Sequence, residues 1–350
     1  MINMGVGILH KYKDHIDLDG AAPISMGEGD TPLIYSDYLS KETGASVYLK
    51  IEGCNPSGSF KDRGMVVAVC KAIQKNKKVL VCASTGNTSA SASAYAAKFG
   101  LNSAIIIPSG NIAKGKLAQA MAFGAKIVAI DGSFDDALNI VRKLENESDI
   151  EIVNSINPHR IEGQKTAAFE IIDSLDSVDY LCIPVGNAGN ISAYWKGFKE
   201  YSPLKNFKPP KMLGFQAEGS APIVKGKIVD NPDTIATAIR IGNPASWKSA
   251  ELALAESDGS IHSVTDDEII ESYVNLARKD GIYCEPASAA GVAGLLKLSK
   301  EVDFNKKIIT CVITGNGLKD PSTSEKFAST NIYKSKPELS EVLEAINKKA

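Results

Sequence analysis

Thiols and imidazoles are scarce in this chain: 350 residues contain six cysteines and four histidines. The cysteines stand at positions 54, 70, 82, 182, 284 and 311, so none forms a CxxC pair, and no cluster of histidines joins them. That spacing argues against a structural zinc site or a disulfide framework and reads as free thiols in a reducing compartment. A surplus of charge of either sign is also missing. Thirty-nine basic residues face 41 acidic ones, a formal charge of −2 with a pI near 6.2. A nucleic-acid binder usually carries a clear basic excess. The apolar stretch Pro286–Leu296 is too short to span a bilayer, and Met1-Ile2-Asn3-Met4 lacks the basic segment and apolar block of a secretory signal. Neither the dinucleotide fingerprint GxGxxG nor the P-loop occurs. These absences predict a cytoplasmic protein with no metal, no nucleic-acid partner and no membrane span.

Hydrophobic residues make up 44% and charged residues 23%, ordinary for a globular chain, and the length suits about two domains. Short Val- and Ile-rich runs at Val47–Ile51, Val79–Ala83, Ala104–Pro108, Lys126–Ile130, Tyr180–Pro184, Leu213–Gln216 and Ile308–Ile313 predict strands. Amphipathic stretches at Asp62–Asn76, Thr88–Phe99, Ala113–Phe123, Phe134–Glu145, Glu162–Ser174 and Ile191–Tyr201 predict helices. Gly100 and Gly124 stand where a helix would end. Tyr201–Lys211, rich in Pro, Lys and Asn, reads as a surface loop, and Glu338–Lys349 as a peripheral helix. Such alternation predicts an α/β protein of mostly parallel sheet flanked by helices. Two lobes are expected, residues 53–154 forming the smaller and residues 1–52 with 155–350 the larger.

In open α/β sheets ligands bind beyond the carboxyl ends of the strands. Four loops in such places are rich in small and polar residues: Asn55–Gly64, Ser84–Ser89, Gly186–Asn190 and Thr314–Gly317. Gly186-Asn187-Ala188-Gly189-Asn190 follows a strand and opens a helix. Its backbone N–H groups and the helix terminus suit one phosphate; a tight turn that needs glycine explains the same residues. Lys61 stands at a helix start, where the macrodipole disfavours a cation and lowers the amine's pKa, as a Schiff-base nucleophile requires. A solvated surface lysine is the alternative. Amine, phosphate cradle and hydroxyl-rich loops together are the parts that hold pyridoxal phosphate.

Ser57-Gly58-Ser59-Phe60-Lys61-Asp62-Arg63 resembles the Schiff-base segment of fold-type II pyridoxal-phosphate enzymes, the tryptophan-synthase β-like family. Within it, Gly29–Leu33, Ser84–Ser89, Gly186–Asn190, Ala238–Pro244 and Thr314–Asp320 are most similar to the threonine synthase branch, in order over residues 27–321. The resemblance implies that Lys61 carries the cofactor and that Asn87 bonds its ring oxygen. It implies that the backbone of Gly186, Asn187, Ala188, Gly189 and Asn190 holds the cofactor phosphate and that Thr314 faces the pyridine nitrogen. It further implies a substrate phosphate bound by Asn154, Ser155 and Arg160, with Ser84, Thr88 and Lys116 nearby. Glu285 lies in a matching segment and receives no role. The implied substrate is O-phospho-L-homoserine and the implied assembly a homodimer. A threonine or serine dehydratase, a β-replacing synthase and a non-catalytic phosphometabolite binder are the competing readings.

Overall fold

The β-branched and apolar runs become strands β1 Leu33–Tyr35, β2 Ser46–Ile51, β3 Val79–Ala83, β4 Asn102–Pro108, β5 Lys126–Ile130, β6 Ile150–Ile152, β7 Tyr180–Pro184, β8 Lys211–Ala217, β9 Ser260–Val264 and β10 Ile308–Ile313. This computed structural model describes residues 6–109, 114–144, 147–155, 157–327 and 332–348. Six strands form one sheet in the order β1-β2-β10-β7-β8-β9, and four form another in the order β5-β4-β3-β6. Every described neighbour pair is parallel except β1 with β2. The α/β class with two mostly parallel sheets stands as the alternation predicts. On β4, Ile105, Ile106 and Ile107 are all buried, the signature of a strand covered on both faces. On β5, an edge strand, Val128 is exposed.

Differences from the sequence reading have local causes. The helix Pro286–Leu298 escaped it because Ala, Gly and Leu surround its axis without a polar face. It packs in the core against β7, β8 and β10, where an all-round apolar helix belongs. Capping explains the unforeseen helix Asp266–Lys279: the Thr265 hydroxyl accepts from Glu268 N, and the Glu268 carboxylate accepts from Thr265 N. Strands β1 and β6 are three residues long, too short to show a period. The helix expected at Ile191–Tyr201 is Gly189–Lys205 and runs through Pro203 into the expected loop. Pro203 lies in the last turn, before Asn206 ends the helix with φ 51°.

No described helix is long and apolar enough to cross a membrane.

Candidate active site

The carboxyl ends of β2, β3, β7 and β10 meet around the start of the helix Lys61–Gln74. Backbone bonds fix the loop before it. Phe60 N donates to Thr314 O at 3.0 Å, and Asn316 N donates to Gly58 O at 2.9 Å. Glu285 N donates to Gly315 O at 3.1 Å, so the segments of Lys61, Thr314 and Glu285 are laced together without relying on side chains. Asp62 adds a lock, accepting from Ser57 N at 2.6 Å and from the Ser57 and Ser91 hydroxyls at 2.5 Å each.

Lys61 keeps part of its surface open, and its Nζ lies 4.2 Å from the centre of the Phe60 ring. Among the described residues its amine has no carboxylate or hydrogen-bond partner. Burial first and the Arg160 charge second draw that amine down to about 7, against the opposing Glu285 carboxylate. Thus a substantial share of Lys61 is uncharged at neutral pH, with burial rather than the helix start as the leading cause. Asn87 is buried at the start of the helix Asn87–Lys98, with Nδ2 donating to Glu285 Oε1 at 2.9 Å and Oε2 at 3.1 Å. Thr314 is buried, its hydroxyl 2.8 Å from that of Ser288.

The loop from Gly186 to Asn190 turns into the helix Gly189–Lys205 through Ala188, whose φ of 65° is left-handed. At Gly189 a Cβ would meet Ser246 Oγ at 3.6 Å and Ile161 Cδ1 at 3.7 Å, ordinary van der Waals contacts that leave the backbone there uncrowded. The Asn190 side chain is buried in the first turn with neither Oδ1 nor Nδ2 bonded. Unmet polar atoms beside free helix N–H groups are the equipment of an anion site, and a phosphate fits it. The residues present therefore suit pyridoxal phosphate: Lys61 for its aldehyde carbon, Gly186–Asn190 for its phosphate, Asn87 and Thr314 for its ring.

A second cationic position lies beside the first. Arg160 is 2% exposed and Nη1 donates to Val153 O at 3.2 Å, while among the described residues no carboxylate pairs with it and Nε has no partner. Burial lowers it to about 10. Two glycines put it there. A Cβ on Gly64 would lie 2.7 Å from Arg160 O, and one on Gly163 would lie 1.7 Å from Arg63 O, so the helices Lys61–Gln74 and His159–Gln164 touch backbone to backbone. Ser155 Oγ accepts from Asn187 Nδ2 at 3.3 Å, joining the two anion-binding segments. Asn154 has a different occupation: Oδ1 accepts from Ala83 N at 3.0 Å and Nδ2 donates to Ala83 O at 3.1 Å. It extends the end of β3 and thereby holds Ser84, whose hydroxyl accepts from Gly86 N at 3.2 Å. Thr88 is buried in the next helix. The Lys116 side chain lies outside the described residues.

Sequence reasoning overlooked the group that anchors Lys61. Two residues along, Arg63 is wholly buried and grips Glu52 (Nε to Oε2 2.7 Å, Nη2 to Oε1 2.8 Å) and Glu170 (Nη1 to Oε1 and Nη2 to Oε2, both 2.7 Å). Lys50 Nζ reaches Glu170 Oε2 at 2.6 Å and balances the charge. Burial pushes the Glu170 carboxyl up, but Arg63 and Lys50 outweigh it and hold the group well below the carboxylate range. Asp30 N donates to Glu170 Oε1 at 2.8 Å and Thr31 Oγ1 donates to Glu52 Oε1 at 2.7 Å. The Gly29-Asp30-Thr31 segment was therefore the available signal: it supports this network.

A family model for pyridoxal-phosphate dependent enzymes matches residues 24–315. The threonine synthase of Halalkalibacterium halodurans is 54% identical over 328 residues, 93% of each chain. That of Synechocystis is 50% identical over 346 residues, 97% of this chain and 90% of the relative, and that of Methanocaldococcus jannaschii is 49% identical over 90% and 81%. Among solved structures, a cysteine synthase from Entamoeba histolytica superposes with a TM-score of 0.74 at 23% identity, covering 87% of this chain and 90% of that one. Maize serine racemase gives 0.72 at 20% identity, covering 85% and 91%. At those identities the structures speak for the fold alone.

Proposed function

The chain belongs to the family of pyridoxal-phosphate-dependent enzymes, and we propose that it is the threonine-forming member its relatives represent, converting O-phospho-L-homoserine and water to L-threonine and phosphate. One observation supports the substrate: a buried arginine, Arg160, with no ion-pair partner among the described residues, whose charge acts on Lys61. The site thus offers two anion positions, one for the cofactor and one for a phosphorylated substrate. Arginine suits phosphate through charge-assisted bonds.

When bound, pyridoxal phosphate supplies an electron sink for negative charge developing at the substrate's Cα. Lys61 Nζ, with its lowered basicity, takes the Cα proton and later returns one. Arg160 and the Ser155 hydroxyl hold the phosphate on Cγ so that it leaves with the electron pair of the C–O bond. In the net change one hydrogen passes from Cβ to Cγ and the hydroxyl of water joins Cβ. The remaining proton of water goes to the released phosphate. Asn154 serves through β3 by fixing where Ser84 stands. Thr314 offers the ring nitrogen a neutral hydroxyl rather than a carboxylate.

The same reading makes the enzyme a cytoplasmic homodimer, supported by an exposed apolar stripe, Leu339, Val342, Leu343 and Ile346, on the helix Leu339–Asn347. Light scattering checks the assembly. The function is tested by loading the purified protein with cofactor and measuring phosphate release and threonine formation from O-phospho-L-homoserine, with serine, threonine and O-acetylserine alongside. Faster turnover of the unphosphorylated amino acids would assign the chain to the dehydratase or β-replacing branch instead.

A further inference from the structure

Glu285 has no part in the assignments above, yet it is 6% exposed and faces Asn87, itself 8% exposed. Its place is built. Its own N–H donates to Gly315 O at 3.1 Å, and a Cβ on residue 315 would stand 2.4 Å from Glu285 Oε1. The carboxylate therefore has room only because residue 315 is glycine. Both of its oxygens lie within 3.1 Å of Asn87 Nδ2.

An ionised carboxylate only accepts hydrogen bonds, so it forces the Asn87 amide to turn its NH2 toward Glu285. Asn87 Oδ1 is then left over, and among the described residues nothing donates to it. We infer that Glu285 is a positioning residue for the cofactor: it locks the Asn87 amide in one orientation and so decides that Oδ1 is the group offered to the cofactor ring. The charges facing Glu285 are the cations Lys319 and Lys61 and the anion Asp320, with the Cys284 thiol adjacent. Burial pushes the carboxyl up, Lys319, Asn87 and Lys61 oppose it, and Asp320 adds to it. The lock is therefore released toward acid, when the protonated group can donate and the amide can turn.

This rests on the cofactor site and not on the identity of the substrate. The test is equilibrium titration of apoprotein with pyridoxal phosphate, read by protein fluorescence, for wild type, Glu285→Gln, Asn87→Ala and the double variant. Each single change is expected to raise the Kd about tenfold, and the double variant to match Asn87→Ala within about twofold, because the two residues act as one unit. Fully additive losses, or a folded Glu285→Gln variant with wild-type affinity, would overturn the inference. A wild-type protein that does not bind the cofactor would instead sink the cofactor reading itself. Should Glu285→Gln not fold, the pH profiles of wild type and Asn87→Ala decide. Wild type is expected to lose affinity toward acid over an interval where Asn87→Ala does not; parallel profiles would refute the lock.

Discussion

Replacing Arg160 with leucine separates its binding role from its structural cost. The guanidinium is 2% exposed and sits at about 10 instead of 12.5, because folding buries its charge without supplying a carboxylate. A base whose folded pKa is depressed destabilises the fold wherever it is charged in both states, which here means below about 10. At 1.36 kcal/mol per unit the penalty is about 3 kcal/mol, and losing the bond to Val153 O returns about 1 kcal/mol of it. Arg160→Leu should therefore be more stable by about 2 kcal/mol, read as a shift of the denaturation midpoint at neutral pH. Catalysis should move the other way. Loss of one charge-assisted contact to the substrate phosphate costs about 1.5–3 kcal/mol, or one to two decades in kcat/KM for O-phospho-L-homoserine. Unphosphorylated amino acids should be much less affected. A third consequence concerns Lys61, whose pKa Arg160 lowers. Without that charge the lysine should titrate higher, so the rate at which apoprotein captures pyridoxal phosphate should rise with pH along a curve displaced to the alkaline side. A variant that is less stable, or that slows phosphorylated and unphosphorylated substrates equally, would show that Arg160 is a packing residue and not an anion receptor.

Other changes test the remaining parts. Lys61→Ala should abolish turnover and the visible absorbance of the lysine-bound cofactor and should raise rather than lower the unfolding midpoint at neutral pH, because burial depresses the amine's pKa and among the described residues it has no carboxylate or hydrogen-bond partner; retained activity would remove this lysine from the chemistry. Gly189→Ala should bind the cofactor almost normally, since a Cβ there meets its nearest neighbour at 3.6 Å, whereas Gly189→Asp should bind it weakly through repulsion between two anions. Equal affinity for both variants, measured by cofactor titration, would take the phosphate away from this loop. Glu170→Gln should cost about 3–5 kcal/mol of unfolding free energy at neutral pH, because Arg63 and Lys50 lose a buried partner. Glu170 is held below its unfolded value, so its contribution is present above that value and disappears as pH falls through the folded one. The variant should thus approach wild-type stability toward acid, in chemical denaturation at a series of pH values.

What the sequence shows and hides follows from how far each signal reaches along the chain. β3, β7 and β10 have the ends their apolar runs predict, because a strand buried on both faces needs an uninterrupted apolar segment; β5 keeps its predicted ends as well, although it lies largely exposed at the sheet edge. That Lys61 opens a helix and that Gly186–Asn190 turns from a strand into one was legible because helix starts and glycine loops are local features. Pairings over long separations were not. Asn87 meets Glu285 across 198 positions and Arg63 meets Glu170 across 107, and nothing in either neighbourhood announces the partner. A local signal misled at Tyr201–Lys211, whose Pro, Lys and Asn read as a loop although the helix runs on to Lys205, and nothing local announces that the Asn154 amide bonds the backbone of Ala83.

The electrostatics of the site follow from which helix ends are brought there. The helices beginning at Lys61, Asn87, Gly189 and Pro286 start on the segments that carry the site residues, so the positive ends of four helix dipoles are gathered there. Arg160 adds a full positive charge. Such a field favours a phosphorylated cofactor and a phosphorylated substrate together, while burial first and the Arg160 charge second keep Lys61 short of a proton. It also explains why one carboxylate is tolerated. Glu285 sits at the cap of the helix Pro286–Leu298, where the dipole favours negative charge, and among residues acting on Lys61 it is the single one that raises the amine's affinity for a proton. Nucleophilicity at Lys61 is thus set first by burial and then adjusted by Arg160 and Glu285, and phosphate bound at Arg160 would shift it. Adding inorganic phosphate to the cofactor-free Gly189→Asp variant, whose loop repels anions, should raise the pH at which Lys61 becomes reactive toward an amine-modifying reagent. The same addition to Gly189→Asp combined with Arg160→Leu should do nothing; a matching shift in both proteins would place the phosphate elsewhere.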